Sequence, residues 1–361
     1  MLRIEMLPAR HGDCLWIEYG SAKKTYRMLI DAGPASTYKH LRERILGLPE
    51  SKRHFELFVI THIDADHIEG AVRLLQDKKL RVSFGDIWFN GWKHLKRNPD
   101  RTLGGPLGEY LTSTILKEKL PWNVAFDGGT IVVSDKGKLH LRPLRGGMQL
   151  TLLSPTWDQL EKLRPKWKKE VLDAGLVPGH ARKAQEKLAA TKRLQPILGA
   201  PRINVEKLAK PDLKSDSAAA NGSSIAFLAE YDRLRCLFSG DAFPSVLAAS
   251  LRRLLKKSSE KMRLDVFKLP HHGSRANVTT ELIDLVQCGK YMFSSNGDIF
   301  EHPDQEAVAR VIWHDKTSPL LCFNYKTDFN KMWASPKLIN DHSYTVEYPQ
   351  TGKEGLLLEV K

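Results

Sequence analysis

The chain has 361 residues, 42% of them hydrophobic and 27% charged, enough to bury a full core and far from the composition of a disordered or fibrous protein. No apolar run approaches the roughly 18 residues of a membrane span, and four scattered cysteines, Cys14, Cys236, Cys288 and Cys322, argue for buried free thiols against a disulfide scaffold or a thiolate zinc site. Lys and Arg number 56 against 42 Asp and Glu, a net charge of +14 that suits polyanionic partners such as nucleic acid or acidic lipid headgroups, or simply a solvated basic surface.

Residues 1–7, 14–19 and 27–31 predict three short strands of an antiparallel opening, separated by Arg10-His11-Gly12-Asp13 and Gly20-Ser21. The charges within 1–7 make that stretch a first strand rather than a signal peptide, so a cytoplasmic protein is expected. Asp31-Ala32-Gly33-Pro34 stops the third strand, and residues 38–46 predict a helix that returns the chain to a buried β-branched and aromatic strand at 57–60. A helix over 68–75 follows, then a strand at 86–89, a turn at Gly104-Gly105-Pro106, a helix over 109–119 and strands at 131–133 and 148–153.

Between Thr156 and Lys214 there are 14 Lys and Arg against 7 Asp and Glu, half of the whole excess. With helical patterns over 157–170 and 182–194 and prolines between, residues 155–222 read as a basic helical insertion within one domain spanning 1–361, and residues 214–223 as its flexible return loop. A hairpin over 224–231 and 234–238, a helix over 245–255, a buried strand at 264–269, and strand and helix segments at 278–286, 291–294 and 305–313 complete the pattern. Each half thus offers antiparallel strands, then a strand ending in Asp or His, then a helix; two such halves facing each other converge their ligands.

The densest chemistry lies at Thr61-His62-Ile63-Asp64-Ala65-Asp66-His67-Ile68-Glu69-Gly70, on the turn from strand to helix. Alternate residues of an extended segment face one way, so His62 and Asp64 reach one point, while Asp66 and His67 are offset toward a second. Four donors aimed at two adjacent points make half of a dinuclear metal site. The alternative is an Asp-rich helix N-terminus, although a cap needs one carboxylate and no flanking histidines. In the second half, Asp241 ends a strand after a glycine, and His271, His272 and His302 each sit at a proline-flanked turn.

In this order the chain resembles the metallo-β-lactamase superfamily, and more narrowly the hydrolase domain of the competence protein ComEC. The matching stretches are Gly12-Asp13, Leu29-Ile30-Asp31-Ala32-Gly33, Thr61 through Gly70, Phe238-Ser239-Gly240-Asp241-Ala242, Lys268-Leu269-Pro270-His271-His272-Gly273-Ser274, and Asn296 through His302-Pro303. The resemblance implies an α/β fold, an αββα sandwich of two mixed sheets flanked by helices, with a dinuclear site on one edge. It implies that His62 and Asp64 hold one divalent ion, Asp66 and His67 the other, that Asp241 bridges, and that His271 completes the second site. Asp31 then orients a ligand from behind, and His272 and Ser274 shape the turn or touch substrate. Asp64 stands where the superfamily usually has His, which leaves Mn²⁺ competitive with Zn²⁺. The superfamily's intermediate ligand His has no clear counterpart, His140 and His180 both being badly situated.

Such a site lowers the pKa of a bridging water toward neutrality for in-line attack on phosphorus or an acyl carbon. Asp66 is placed to orient that water and take its proton, and His302 to protonate the leaving oxygen. The leading expectation is a metal-dependent phosphodiesterase, a nuclease acting on DNA. Lys162, Arg164, Lys166, Lys168 and Lys169, interleaved with Trp157 and Trp167, offer phosphate contacts and base stacking, or else a solvated basic face over two core tryptophans. A small-molecule hydrolase of the same fold, cleaving a lactone, thioester or cyclic nucleotide, and a non-catalytic metal-binding assembly protein are the competing readings.

Overall fold

The computed structural model describes residues 1–95, 106–134, 136–173, 203–210 and 216–361. The expected Gly-rich turn at 104–106 is largely, and the helix over 182–194 with His180 wholly, outside them. Among the described residues sixteen strands occur in chain order: β1 Leu2–Met6, β2 Leu15–Gly20, β3 Thr25–Ile30, β4 His54–Phe55, β5 Leu57–Val59, β6 Ser83–Phe84, β7 Ile87–Trp88, β8 Leu141–Pro143, β9 Gln149–Ser154, β10 Ala226–Tyr231, β11 Leu234–Phe238, β12 Met262–Lys268, β13 Val286–Phe293, β14 Leu320–Phe323, β15 Thr345–Glu347 and β16 Leu356–Val360.

Two mixed sheets result. The first has the order β16-β1-β2-β3-β5-β7, antiparallel as far as β3 and parallel beyond it. The second has the order β15-β14-β13-β12-β11-β10-β9-β8, antiparallel from β8 to β11 and parallel from β11 to β15. A short parallel pair, β4 and β6, stands apart.

The burial pattern shows how the sequence stacks them. Alternating residues of the edge strand β16, Leu356, Leu358 and Val360, and of its neighbour β1, Leu2, Ile4 and Met6, join Phe227, Phe238 and Val266 in one core between the sheets. Central strands are apolar on both faces: Leu57 and Val59 point into that core, while Phe58 packs outward with Ile68 and Leu75 of the helix Ala65–Gln76. On the far side, Phe267 and Tyr291 meet Leu247 of the helix Pro244–Leu254 and Val308 of the helix Gln305–His314. Helix, sheet, sheet, helix is the expected αββα sandwich of two mixed sheets, with one core per layer boundary. Each fully buried side chain of this size contributes about 1.5–3 kcal/mol.

Two expected elements differ. Residues 131–133 form no strand: Ile131 is buried, but its N–H donates to Asn90 Oδ1 (2.9 Å) and Val133 N–H donates to Pro155 O (2.7 Å), so side chain and loop replace a ladder. The return loop is also tied down where it is described. Asp216 accepts bonds from Ala218 N, Asn221 Nδ2 and Asn277 Nδ2, at 2.8, 2.8 and 2.9 Å. Among the described residues no helix is long and apolar enough to cross a membrane.

Candidate metal centre

The site forms where the C-terminal ends of β5, β11, β12 and β13 meet along one edge of the sandwich. Thr61 to Asp64 leave β5, and the helix Ala65–Gln76 begins with Asp64 as its N-cap residue in extended conformation. The Asp64 side chain makes no capping bond, so the helix-cap alternative does not account for it. Loop 10–13 lies directly on this turn. Gly12 makes the approach possible: a Cβ there would stand 1.9 Å from Asp66 O.

At the end of β12, His271 and His272 both adopt left-handed backbone (φ 49° and 54°), a conformation that costs energy in non-glycine residues and is held here by surrounding bonds. His271 N–H donates to Gly240 O (3.1 Å), and Asp304 N–H donates to Gly273 O (3.0 Å). This turn splays two consecutive imidazoles, their planes 66° apart, toward different backers.

Four histidines are each gripped from behind. The Nδ1 of His62 meets Thr61 Oγ1 at 3.0 Å, that of His67 meets Asp31 Oδ2 at 2.8 Å, that of His271 meets Asn277 Oδ1 at 3.0 Å, and that of His272 meets Ser294 O at 2.9 Å. A carboxylate, carboxamide or carbonyl oxygen can only accept, and the Thr61 hydroxyl already donates to Asp31 Oδ2 (2.7 Å), so each Nδ1 carries a proton and Nε2 is the nitrogen offered to a cation. All four Nε2 atoms face Asp241 Oδ2, at 3.8 Å for His62, 3.5 Å for His67, 3.8 Å for His271 and 3.8 Å for His272. His62 Nε2 also lies 3.7 Å from Asp64 Oδ2, and Asp66 Oδ2 lies 3.7 Å from His67 Nε2 and 3.5 Å from His272 Nε2.

These separations are too long for hydrogen bonds. They suit shared cations, since two donors about 2.0–2.2 Å from one tetrahedral ion stand roughly 3.4 Å apart. The buried Nε2 atoms of His62, His67 and His272, and Asp241 Oδ1, have no hydrogen-bond partner. Buried polar atoms left bare at one point fit a bound ion. The donor set, imidazole and carboxylate without thiolate, suits Zn²⁺, Mn²⁺ or Fe.

His272, expected to shape the turn or touch substrate, turns its bare Nε2 to both Asp66 and Asp241; His271, expected to complete the second site, faces Asp241 with its back to Asn277 and Asp216. Asp31 lies behind this turn, accepting from Thr61 N (2.8 Å) and Thr61 Oγ1 (2.7 Å) as well as from His67. Ser274 shapes the turn, its N–H donating to His271 O at 2.8 Å. His140 is outside the cluster, its carbonyl accepting from Leu152 N–H beside β9.

Asp13, His67, Asp241 and His272 also have ligand atoms within 4.8 Å of one another. Asp13 nevertheless stands behind His272. One of its oxygens pairs with the Lys268 ammonium at 2.8 Å, both side chains almost wholly buried, and the other accepts from Ser294 Oγ and lies 3.5 Å from His272 Nδ1. Neither residue was read from the sequence as functional. A lysine closing the buried run Val266-Phe267-Lys268 was the available signal, because such a charge requires an internal partner.

Charge balance follows from this crowding. Burial opposes ionisation of Asp241 and Asp66, yet the surrounding imidazoles win and hold both carboxyls well below the usual range. Burial likewise opposes charge on His272, but Asp241 and Asp13 raise it to about 9; Asp241 also raises His67 and His271 against burial. His302, its ring 5.3 Å from that of His271, is driven down by burial with Asp304 opposing, so it stands neutral near pH 7.

The basic helix Trp157–Asp173 runs beside the site: burial raises the Glu170 carboxyl, and the Asp64 charge raises it further. Its lysines are partly engaged, Lys162 with Asp158 at 2.7 Å, Lys166 with Glu170 at 3.9 Å and Lys169 with Asp173 at 2.6 Å. Arg164 lies 5.0 Å over the Trp92 ring, and Lys168 is exposed. Trp167 is completely buried, so the expected stacking of bases on it is not available. A cavity of about 770 Å³, lined by Lys256, Arg263 and Asp315 among others, lies at the opposite end of β12. It brings together no such ligand cluster.

No family model matches the chain, and no curated protein matches it. Among solved structures it is similar to CmlA, a diiron β-hydroxylase from Streptomyces venezuelae, at 12% identity over 99% of this chain and 54% of that one, TM-score 0.39. It is also similar to the metallo-β-lactamase fold protein YhfI from Bacillus subtilis, at 10% identity over 99% of this chain and 98% of that one, TM-score 0.37. A metallo-β-lactamase from Cronobacter sakazakii follows at 12% identity over 72% and 75%, TM-score 0.29. The chain spans about half the length of CmlA. At these TM-scores the likenesses add nothing to the reading of the site, which stands on its own geometry.

Proposed function

We propose that the chain is a metal-dependent phosphodiester hydrolase, a nuclease with DNA as its first candidate substrate, working over two divalent cations, Zn²⁺ or Mn²⁺. The observation that carries this reading is the set of four back-bonded imidazoles aimed at one carboxylate oxygen, with bare Nε2 atoms on His62, His67 and His272. His62, Asp64 and His271 would hold one cation and Asp66, His67 and His272 the other, with Asp241 between them. Such a pair of ions supplies Lewis-acid polarisation of the phosphoryl group and a water acidified toward neutrality.

The chain's own residues supply orientation and proton handling. Asp66, held ionised, accepts from the attacking water while keeping its place beside His67 and His272. His302, neutral near pH 7, donates a hydrogen bond to the leaving oxygen, a weaker role than the full proton transfer expected from sequence. Thr61, Asp31, Asn277 and Ser294 fix the ring planes, so the site is organised before substrate arrives.

Support for a polyanionic substrate comes from the net charge of +14 and from the basic helix beside Asp64, where Arg164 and Lys168 remain for phosphate contacts and Lys162, Lys166 and Lys169 would exchange their own-helix carboxylates for phosphate. The small-molecule alternative draws on the same helix, which packs Trp167 into the core as a structural wall. Cleavage of labelled single- and double-stranded DNA and RNA with Mn²⁺, Zn²⁺ or Mg²⁺ tests the reading, beside an Asp66→Ala/His67→Ala control. Metal-dependent cutting absent from the control is expected. No cutting of any nucleic acid, with hydrolysis of a lactone or thioester, would overturn it.

A further inference from the structure

The loop that follows β13 carries two consecutive exposed apolar residues, Ile299 (50% exposed) and Phe300 (53%). A single exposed apolar residue needs no explanation, but this loop is not loosely attached. Asn296 N–H donates to Arg10 O at 2.8 Å, Arg10 Nη2 pairs with Asp298 Oδ2 at 2.8 Å, and Glu301 N–H donates to Gly297 O at 3.0 Å. Phe300 is therefore held out into solvent by a fixed backbone.

Its neighbours are what give it meaning. The ring meets His11 edge-on at 6.2 Å and stacks with His302 at 6.0 Å and 29° between planes. His302 in turn adjoins His271, whose Nε2 faces Asp241, and His11 lies close enough to Asp66, His67 and His272 to feel their charges. Phe300 thus lies against two imidazoles, His11 and His302, the second of which adjoins the metal centre through His271, with about half of its own surface exposed.

We propose that Phe300 is a stacking platform for a nucleobase next to the scissile phosphate, making the substrate a nucleic acid with an unstacked base at the cleavage point. This inference rests on the phosphodiesterase reading of the same site. An aromatic face accepts any base, so the platform gives affinity with little sequence preference. It requires a base already single-stranded or splayed from its neighbours, because a paired, stacked base presents no free face.

The test uses the metal-loaded protein and two labelled trinucleotides, one carrying all its bases and one abasic throughout. With the wild type, KM for the base-carrying trimer should lie roughly tenfold below that for the abasic trimer, as one base–aromatic stack allows. Phe300→Ala should close that gap, Phe300→Trp should keep it, and Phe300→Leu should close most of it. A second reading is independent of turnover: a dinucleotide containing 2-aminopurine should lose fluorescence on binding to wild type and to Phe300→Trp, and not to Phe300→Ala. Equal KM for the two trimers in the wild type, or Phe300→Leu matching Phe300, would overturn the platform while leaving the hydrolase intact. Fluorescence quenching that needs Phe300, in a protein that cleaves no phosphodiester, would leave the platform standing and remove the hydrolase.

Discussion

Replacing Lys268 or Asp13 probes the support behind His272 without touching any of the residues assigned to the cations. Their ammonium and carboxylate lie 2.8 Å apart with side-chain exposures of 1% and 2%. At an effective dielectric of about 20 the bare attraction at that separation is about 6 kcal/mol. The desolvation of both ions opposes it, and breaking such a pair from one side costs about 3–5 kcal/mol. The two sides are not equivalent. Without Lys268, Asp13 keeps Ser294 Oγ and the His272 ring; without Asp13, Lys268 keeps only the Leu269 carbonyl at 3.0 Å. Asp13→Asn should therefore cost at least as much as Lys268→Met, and the double variant should be less damaged than the sum of the singles by about 2 kcal/mol or more. The assay is urea unfolding of metal-free protein followed by both tryptophan fluorescence and circular dichroism, with the midpoints compared once the two transitions coincide. Single variants costing under about 1 kcal/mol, or strictly additive losses, would refute the argument that each charge of this buried pair depends on the other.

Three further outcomes follow from the same geometry. Asp31→Asn removes the carboxylate behind His67 Nδ1 and should weaken cation binding about 10–100-fold by competition with a chromophoric chelator; unchanged affinity would remove Asp31 from the site. Neighbouring carboxylates raise His67, His271 and His272, the last to about 9, so a cation must displace the proton that His272 carries near pH 7. Calorimetry in buffers of differing ionisation heat should show proton release at pH 7 and tighter binding as pH rises toward 9, whereas pH-independent affinity would contradict the charge balance described. Replacing Lys166, Lys168 and Lys169 together by Glu should weaken DNA binding and make the remainder less salt-dependent; an unaltered salt slope would take the helix Trp157–Asp173 out of the interface.

The parts legible in the sequence were those fixed locally. The strand-to-helix turn from Thr61 to Gly70 places its four donors by backbone periodicity alone, and the expected helix over 38–46 is the helix Tyr38–Leu46. Choosing between His271 and His272 was beyond spacing, since two adjacent residues in left-handed backbone point by the bonds that hold them, and those bonds come from Gly240 and from either side of the turn. The partners Asp13 and Asp216 were illegible for a related reason: each acts across a long sequence separation, Asp216 on Asn277 and Asp13 on Lys268. The strand β16 had a period-2 signal in Leu356, Leu358 and Val360, but its pairing with β1 joins the two ends of the chain and no local pattern announces it. The insertion's charge was visible, whereas the burial of Trp167 beneath Gly108 and Trp92 depended on a packing surface elsewhere in the chain.

The most direct test of the two-cation cradle is metal content by mass spectrometry, after loading with Mn²⁺ or Zn²⁺ and desalting, for the wild type and for Asp241→Asn. Since Asp241 Oδ2 faces all four imidazoles, two ions per chain are predicted in the wild type and one or none in the variant. A wild type that retains no ion, or a variant that retains two, would contradict the account.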